Sequence, residues 1–166
     1  RTIFDQAPVG IGVIDSVSGR FLHINDAYCR IAGFPRAEML DKDFMTITHP
    51  DDVQEDLDNM ARLRAGEISS FRMDKRYIQK DGTIVWVALT VVPLWESPND
   101  PMHHIAIVED ITARILSEKT IRESERRLHN LLNTIQAGVV VHAADTTEIT
   151  MINSTAERLL GLQDKR

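Results

Sequence analysis

The sequence predicts an α+β fold in which an antiparallel sheet leads into a long C-terminal helix. Two strand-like runs meet at Lys80-Asp81-Gly82, where glycine takes the positive φ that other residues avoid, so a β-hairpin is expected there. A third strand-like run ends at residues 109–112, and a charged helical pattern begins within three residues. The sheet and the helix are therefore expected to be joined closely enough for a change in one to reach the other.

The composition is that of a folded chain with one complete core. Of the 166 residues, 43% are hydrophobic, enough for one core and part of a second. No apolar run approaches the ~20 residues that cross a bilayer, so no membrane contact is expected for this piece, whatever anchor a longer parent carries. The single cysteine, Cys29, fits a reducing, cytoplasmic compartment. A net charge of −6 with interspersed signs argues against nucleic acid as a partner.

The first predicted elements are a hairpin and a short helix. Residues 9–15 and 20–24 have strand character and flank a turn. Asn25 can accept a hydrogen bond from the first helical turn, so it is expected to cap a helix that runs to Ala32 and ends at Gly33.

A longer helix is predicted from Pro50 to near Gly66, after a loosely helical region. Proline favours the first helical turn and its predecessor avoids the α region, so His49 is the expected N-cap. Asp51 and Asp52 follow, where the helix dipole favours negative charge. The expected inward-facing residues of this helix are Val53, Leu57, Met60 and Ala61.

Three long strands are predicted at residues 70–78, 83–94 and 103–109. In the middle strand, one face carries Val85, Val87, Leu89 and Val91, and the other carries Trp86, Ala88, Thr90 and Val92. Both faces are largely apolar. One is expected to cover the core, and the other, through Trp86, Ala88 and Val92, to meet a second copy of the chain.

The predicted C-terminal helix carries a heptad pattern. Ile121, Leu128 and Ile135 recur every seven residues, with Ser124 and Leu131 at the intervening d-type positions. This pattern predicts a short parallel coiled coil, weak at the serine, and hence a homodimer. A surface helix that packs only on its own domain is the alternative.

The sequence contains an internal repeat. The pattern Ile24-Asn25-x-x-x-x-Arg30-Ile31-x-Gly33 recurs as Ile152-Asn153-x-x-x-x-Arg158-Leu159-x-Gly161, at a constant offset of 128 residues. A second domain of the same kind is therefore predicted to begin near residue 136, with only its first hairpin and helix within this sequence.

The informative motifs are Ala7-Pro8-Val9-Gly10-Ile11, Ile24-Asn25…Gly33-Phe34, His49-Pro50-Asp51-Asp52, Lys80-Asp81-Gly82…Trp86 and Glu109-Asp110-Ile111-Thr112. In order and spacing they resemble a PAS sensor domain with its C-terminal PAC motif. The resemblance implies a PAS-like (profilin-like) sheet of five antiparallel strands with helices on one face, enclosing a pocket. It also implies three parts: a PAS/PAC sensor domain at residues 1–112, a signalling coiled-coil helix at 113–135 and a truncated second PAS domain at 136–166.

The resemblance implies bacterial signal transduction rather than catalysis. Asp110, Ile111 and Thr112 would fasten the last strand to the signalling helix, which leads to an output domain in the same polypeptide. A sensor histidine kinase of a two-component phosphorelay is expected; the alternatives are a diguanylate cyclase or phosphodiesterase, or a ligand-free PAS dimerisation domain. No nucleophile–base pair, phosphate loop or metal spacing is visible, so this piece is not expected to be an enzyme.

From the residues alone, the junction has two interpretations. Thr112 can cap the helix that begins there, and the dipole of that helix favours Asp110 near its start. An ordinary helix start without a signalling role is the alternative.

The sequence supports no metal site and leaves the cofactor undetermined. Haem-binding PAS domains take a histidine from the long helix, and residues 51–65 contain none. His103 and His104 are neighbours on a strand, so they point to opposite faces and cannot chelate jointly. Cys29 lies outside the central helices that hold the reactive cysteine of light-sensing relatives, which argues against a covalent flavin. A non-covalent flavin, a small metabolite such as an organic acid, and an empty pocket remain as alternatives.

A pocket in this fold would be lined by the inward faces of strands and central helices. The residues expected there, each of which is also ordinary core material, are Val13, Phe44, Met45, Val53, Leu57, Phe71, Met73 and Leu89.

Overall fold

The computed structural model describes residues 2–97 and 100–162. Residues 1, 98, 99 and 163–166 of the predicted domains lie outside the described residues, and side chains are described from Phe4 onward. The chain divides into two compact units, residues 1–115 and residues 116–166.

The first unit contains, in chain order, α1 (Thr2–Gln6), β1 (Gly10–Asp15), β2 (Phe21–Ile24), α2 (Asp26–Ala32), α3 (Arg36–Leu40), α4 (Phe44–Ile47), α5 (Pro50–Arg64), β3 (Phe71–Ile78), β4 (Ile84–Pro93) and β5 (His103–Asp110). Helix α6 (Thr112–Thr134) begins at its end. The second unit adds β6 (Val140–His142), β7 (Ile149–Ile152) and α7 (Ser154–Leu159).

Within the described residues of the first unit, five strands form one antiparallel sheet in the order β2-β1-β5-β4-β3. The first strand and the last strand in the chain are neighbours, and Gly10 pairs with Val108. The predicted five-stranded antiparallel sheet is therefore confirmed. Core side chains of α2, α4 and α5, among them Tyr28, Phe44 and Met60, pack together with the inward residues of the strands.

Strand β4 shows the predicted separation of its two faces. Val87, Leu89 and Val91 are at most 3% exposed, because their side chains alternate into the core with period two. Trp86 and Thr90 on the other face are half-buried, and Val92 is 42% exposed.

Local chemistry fixes the ends of α2. The Asn25 side chain accepts a hydrogen bond from the Tyr28 amide at 2.9 Å, as predicted for the N-cap. Gly33 ends the helix with φ +75, and a Cβ there would lie 2.6 Å from the Gln79 side chain. Only glycine accommodates both the backbone conformation and this close approach.

Helix α5 begins as predicted, and Met60 is buried as predicted, but the centre of its buried face is shifted. His49 is its N-cap, and its Nδ1 accepts from the Asp51 amide. The buried residues are Asp56, Met60 and Leu63, whereas Ala61 is exposed. The prediction for Ala61 was wrong because the buried face of α5 includes a charged residue, Asp56. A search for apolar residues at helical spacing does not find such a face.

The second unit repeats the start of the first. Strands β6 and β7 form an antiparallel hairpin, and Asn153 caps α7 by accepting from the Ala156 amide at 2.9 Å. Gly161 follows the helix with φ +67, as Gly33 does in the first unit with φ +75.

Candidate functional site

The first candidate site is the output junction, defined by Asp110, Ile111, Thr112 and their partner Trp86 on β4. The Ile111 amide donates to the Trp86 carbonyl at 2.9 Å, and the Trp86 amide donates to Thr112 Oγ1 at 3.0 Å. Ile111 is 3% exposed. The first residue of α6 is therefore bonded to a central strand of the sheet.

Within the output junction, Asp110 and not Thr112 supplies the side chain that accepts from an amide at the helix start. Asp110 Oδ1 accepts from the Thr112 amide at 2.9 Å, satisfying one of the amides that a helix start leaves without a partner. The expected cap, Thr112, is itself the first helical residue, and its hydroxyl bonds β4 instead. The expectation that Thr112 caps the helix was wrong, because a residue already in helical conformation has passed the capping position.

The second candidate site is a cavity of about 10 Å³ between the sheet and the helices, close to the space that one water molecule needs. It is lined by Ile14, Tyr28, Phe44, Asp56, Met60, Lys75, Tyr77, Leu89, Val91, His104 and Ala106. Pockets that hold drug-sized ligands measure roughly 300–1,000 Å³, so this conformation is closed to a flavin.

Two of the eight expected pocket residues, Phe44 and Leu89, line the cavity. Met73 is buried in the core, and Met45, Leu57 and Phe71 are half-buried against it. Val53 is half-buried on α5 outside this lining. The placement of Val13 was wrong: Ile14 and Gly12 are the inward residues of β1, and Val13 lies beside a surface groove with Phe4 and His23.

A buried ion pair forms the polar wall of the cavity. Lys75 Nζ lies 2.5 Å from Asp56 Oδ2 and donates to Thr48 Oγ1 at 3.1 Å. The side chains of Lys75 and Asp56 are 1% and 3% exposed. The ammonium also lies 5.4 Å and 5.0 Å from the ring centres of Phe44 and Tyr77. Burial lowers the pKa of Lys75 below its ordinary value, and the charge of Asp56 opposes that shift.

Three further polar groups line the cavity. The hydroxyls of Tyr28 and Tyr77 lie 2.9 Å apart, and burial raises the pKa of both. His104 Nδ1 lies 2.8 Å from Ser16 Oγ. Burial and the nearby charge of Lys75 lower the pKa of His104 to about 4, so this imidazole is neutral at pH 7. We refer to Asp56, Lys75, Tyr28, Tyr77 and His104 as the polar cluster.

Sequence reasoning missed the polar cluster, although one signal could have found it. On β3, Met73, Lys75 and Tyr77 share the inward parity, and all three are buried. A lysine between two inward-facing residues must be paired or deprotonated. Its partner Asp56 lies four residues before the inward-facing Met60 on α5, at helical spacing.

The expected dimer face on the outer side of β4 is smaller than predicted. Trp86 is half-buried, and the Arg76 guanidinium lies 5.4 Å from its ring centre. Ala88 is only 4% exposed, so Val92 is the most exposed of the three. Arg76 is held in place by Asp52 Oδ1 at 2.6 Å, and this pairing lowers the pKa of Asp52.

The seam residues Ile121 and Leu128 on α6 are 59% and 50% exposed, and Ile135, which directly follows the end of α6, is 44% exposed. They therefore present apolar surface at heptad spacing to solvent.

Residues considered for metals or cofactors occupy other roles. Cys29 is half-buried, and burial raises the pKa of its thiol. His104 is 2% exposed while its neighbour His103 is half-exposed, as expected for opposite faces of a strand. Across residues 2–97 and 100–162, no group of three or more His, Cys, Asp or Glu side chains is placed to hold a metal ion. Among the helices described, none combines the length and apolarity that crossing a bilayer requires.

Two family models match this sequence, both described as PAS domains, over residues 8–113 and residues 126–166. The chain is 28% identical over 128 residues to the probable diguanylate cyclase DgcE of Escherichia coli K12, covering 77% of this chain and 12% of that protein. It is 21% identical over 128 residues to the sensor histidine kinase TmoS of Ectopseudomonas mendocina, covering 77% of this chain and 13% of that protein. The chain thus spans about an eighth of these relatives.

Solved structures show the same fold. A PAS domain from Colwellia psychrerythraea matches with a TM-score of 0.60 at 20% identity, covering 68% of this chain and 93% of that one. A sensory box histidine kinase/response regulator from Burkholderia thailandensis matches with a TM-score of 0.60 at 19% identity, covering 78% of this chain and 96% of that one.

Proposed function

This chain belongs to the PAS domain family, and from that premise we propose that its first unit senses a ligand, a cofactor state or a partner. The change then passes along α6 to an output domain in the same polypeptide. Catalysis in this proposal belongs to that output domain, and this chain acts as a homodimeric cytoplasmic module paired through α6 and the outer face of β4.

One observation carries the proposal: strand β4 contributes to both candidate sites. Its residues Leu89 and Val91 line the cavity, and the backbone of its residue Trp86 bonds the amide of Ile111 and the side-chain hydroxyl of Thr112. A shift of β4 caused at the cavity therefore displaces the start of α6. Strand β4 also pairs with β3, which carries Lys75 of the polar cluster. Lys75 and Trp86 of the output junction therefore lie on two neighbouring strands.

The output domain has two candidate classes. A sensor histidine kinase is the first, supported by the similarity to TmoS. A diguanylate cyclase is the second, favoured by the higher identity to DgcE, 28% against 21%. Incubating the full-length protein with labelled ATP and, separately, with GTP distinguishes phosphorylation of a histidine from formation of cyclic diguanylate.

Substitution of Thr112 by valine in the full-length protein tests the relay. Valine keeps the branched shape but loses the oxygen that accepts from the Trp86 amide. We expect the activity of the output domain to change by about fivefold or more, the range of ordinary coupling energies. Thr120→Val is the matched control, since Thr120 bonds only the Leu116 carbonyl on its own helix. An unchanged activity in Thr112→Val would contradict the proposed relay.

For the stimulus, we propose a small organic acid that competes with Asp56 for Lys75. The cavity already holds one carboxylate on this ammonium, at 2.5 Å, and has room for little else. An incoming carboxylate can therefore bind Lys75 only by replacing that of Asp56, which would displace α5. A ligand-free PAS dimerisation domain is the alternative.

Thermal shift measurements with formate, acetate and dicarboxylic acids test this stimulus. The acids that bind should raise the melting temperature of the wild-type chain and leave the double variant Lys75→Met, Asp56→Leu unchanged. Equal shifts in both proteins would reject the carboxylate site. Native mass spectrometry of the purified full-length protein would show whether an acid is retained.

A further inference from the structure

Asn25 makes four hydrogen bonds that tie three elements of the first unit together. Its Nδ2 donates to the carbonyl of Phe4 in α1 at 2.9 Å and to that of Val9 at 3.0 Å. Its Oδ1 accepts from the amides of Ile11 in β1 and Tyr28 in α2, both at 2.9 Å. Every polar atom of this side chain is therefore used, and Asn25 is 0% exposed.

Asn153 makes the same four bonds in the second unit. Its Nδ2 donates to the carbonyl of Leu132 in α6 at 2.7 Å and to that of Ala137 at 3.0 Å. Its Oδ1 accepts from the amides of Val139 and Ala156, both at 2.9 Å. Asn153 is 2% exposed.

The two sets correspond bond for bond at the offset of the sequence repeat. Leu132 stands 128 residues after Phe4, as Asn153 stands 128 after Asn25. The end of α6 therefore occupies, in the second unit, the place that α1 occupies in the first. The equivalence of α1 and the end of α6 is inferred from the hydrogen bonds of their backbone carbonyls. It does not depend on the side chains at the two positions, which are Phe4 and Leu132.

The bond from Asn153 satisfies a group that the helix cannot satisfy itself. Leu132 lies in the last turn of α6, whose carbonyls lack an amide four residues on. Two more bonds join the same ends: the Ser154 amide donates to Asn133 Oδ1 at 3.0 Å, and Thr155 Oγ1 donates to the Ile135 carbonyl at 3.2 Å. Leu132 and Asn133 in the last turn of α6, and Ile135 just after it, are thus each bonded to one of the three residues 153–155 at the start of α7.

We propose that Asn153 is a positioning residue that acts as the input joint of the second PAS unit. It receives displacements of α6 at the Leu132 carbonyl and passes them to the amide of Val139, just before β6, and to the amide of Ala156 in the first turn of α7, from both of which its Oδ1 accepts. This inference rests on the proposed relay through α6. It adds that the second unit is a further stage of the relay, entered through one asparagine side chain, rather than a passive spacer.

The variant Asn153→Asp in the full-length protein tests the joint. Aspartate keeps the oxygen that accepts from Val139 and Ala156 but loses both donated bonds, and its charge repels the Leu132 carbonyl. We expect the output activity to change by about fivefold or more. Asn130→Asp is the matched control, because Asn130 is an exposed residue of α6, the helix to which Asn153 bonds, and undergoes the same change of charge.

The double variant Asn153→Asp, Thr112→Val separates relay from general destabilisation. The two residues belong to different compact units and share no hydrogen-bond partner, so their effects on unfolding free energy should add. If both act in one relay, the output of the double variant should not differ from that of Thr112→Val. Thr155→Val, which loses only the bond to Ile135, should change the output in the same direction and by less, and gives the result if Asn153→Asp fails to fold.

The outcomes distinguish the two proposals. If Thr112→Val alters the output and Asn153→Asp does no more than Asn130→Asp, the input joint is rejected and the relay stands. If Asn153→Asp alters the output and Thr112→Val does not, the second unit receives its signal through Asn153 but not from the first unit. If neither alters it, both proposals fail.

Discussion

Lys75 and Asp56 show how a charge can be tolerated inside a small core. Each is almost completely buried, and each depends on the other for compensation. Replacement of one partner leaves the other as a buried, uncompensated charge, which destabilises the folded state. Replacement of both by apolar residues of similar volume leaves no buried charge and costs much less. Such a pair contributes less to stability than its 2.5 Å distance suggests, and its presence in the cavity wall favours a functional role.

The single variant Lys75→Met should destabilise the chain by about 3 kcal/mol or more, because Asp56 is left buried without a partner. The double variant Lys75→Met, Asp56→Leu should recover most of that loss. Urea unfolding of both variants measures the difference. Lys80→Met is the control, since Lys80 bridges Glu38 at the exposed surface and should cost less than about 1 kcal/mol. Equal losses for Lys75→Met and Lys80→Met would contradict the argument.

His104 should make stability depend on pH between about 6.5 and about 4. Its folded pKa of about 4 lies below the unfolded value, so the folded state binds fewer protons in this range. Stability is therefore fully present above the upper limit and falls as the pH is lowered, by about 3 kcal/mol in all. Unfolding of wild type and His104→Asn from pH 7 to pH 4 measures it. The loss should be smaller in His104→Asn and unchanged in His103→Asn, whose side chain is half-exposed.

At the scale of elements, α6 combines polar surroundings with a narrow apolar seam. None of its described side chains is buried, yet Ile121 and Leu128, together with Ile135 just past its end, recur at heptad spacing with 44% or more of their surface exposed. Apolar surface arranged in this way is characteristic of a helix that pairs with another helix.

Two substitutions on α6 should move the association of the chain in opposite directions. Leu128→Glu places a charge in the seam and should weaken dimerisation by at least about tenfold, since burial of a leucine contributes about 1.5–3 kcal/mol. Ser124→Leu should strengthen it, because it replaces the one polar d-type residue. Sedimentation equilibrium over a range of concentrations measures both. A wild-type chain that stays monomeric at all concentrations would reject the seam.

The elements that local chemistry determines could be predicted from the sequence. Asn25, His49 and Gly33 are correctly placed, since a cap or a positive φ involves only neighbouring residues. Which residues of β1 and α5 face inward could not be fixed in this way: periodicity and apolar character place Val13 and Ala61 on the inward faces, whereas the structure leaves Val13 half-buried and Ala61 exposed. Which face of an element is buried depends on partners distant in sequence.

The same distinction between neighbouring and distant partners applies to the two candidate sites. The output junction could be predicted from the succession of Asp110, Ile111 and Thr112, but its bonds to Trp86 depend on the register between β4 and β5. The polar cluster was missed because Lys75 and Asp56 are 19 residues apart, and each alone resembles a surface residue.

At the scale of the molecule, the first unit contains the complete five-stranded sheet. All five strands and the whole output junction lie within residues 1–115. A chain ending at Ile115 should therefore unfold at nearly the same temperature as the corresponding transition of the longer chain. A chain ending at Glu109 should be less stable, because it loses the buried Ile111 and the bonds to Trp86. Calorimetry of both measures this, and equal melting temperatures would contradict the role of the junction.

The proposed relay makes the length of α6 matter, because the helix is bonded to Trp86 at its start and to Asn153 near its end. One inserted residue would lengthen the helix by about 1.5 Å and turn its far end by about 100° about the helix axis relative to Thr112, while the bond between Asn153 and the Leu132 carbonyl, which lies within the second unit, would be kept. Seven inserted residues restore the orientation to within about 20°. Evolution of such linkers should therefore proceed in heptad steps, and the spacing between successive PAS units in a longer array should vary by multiples of seven.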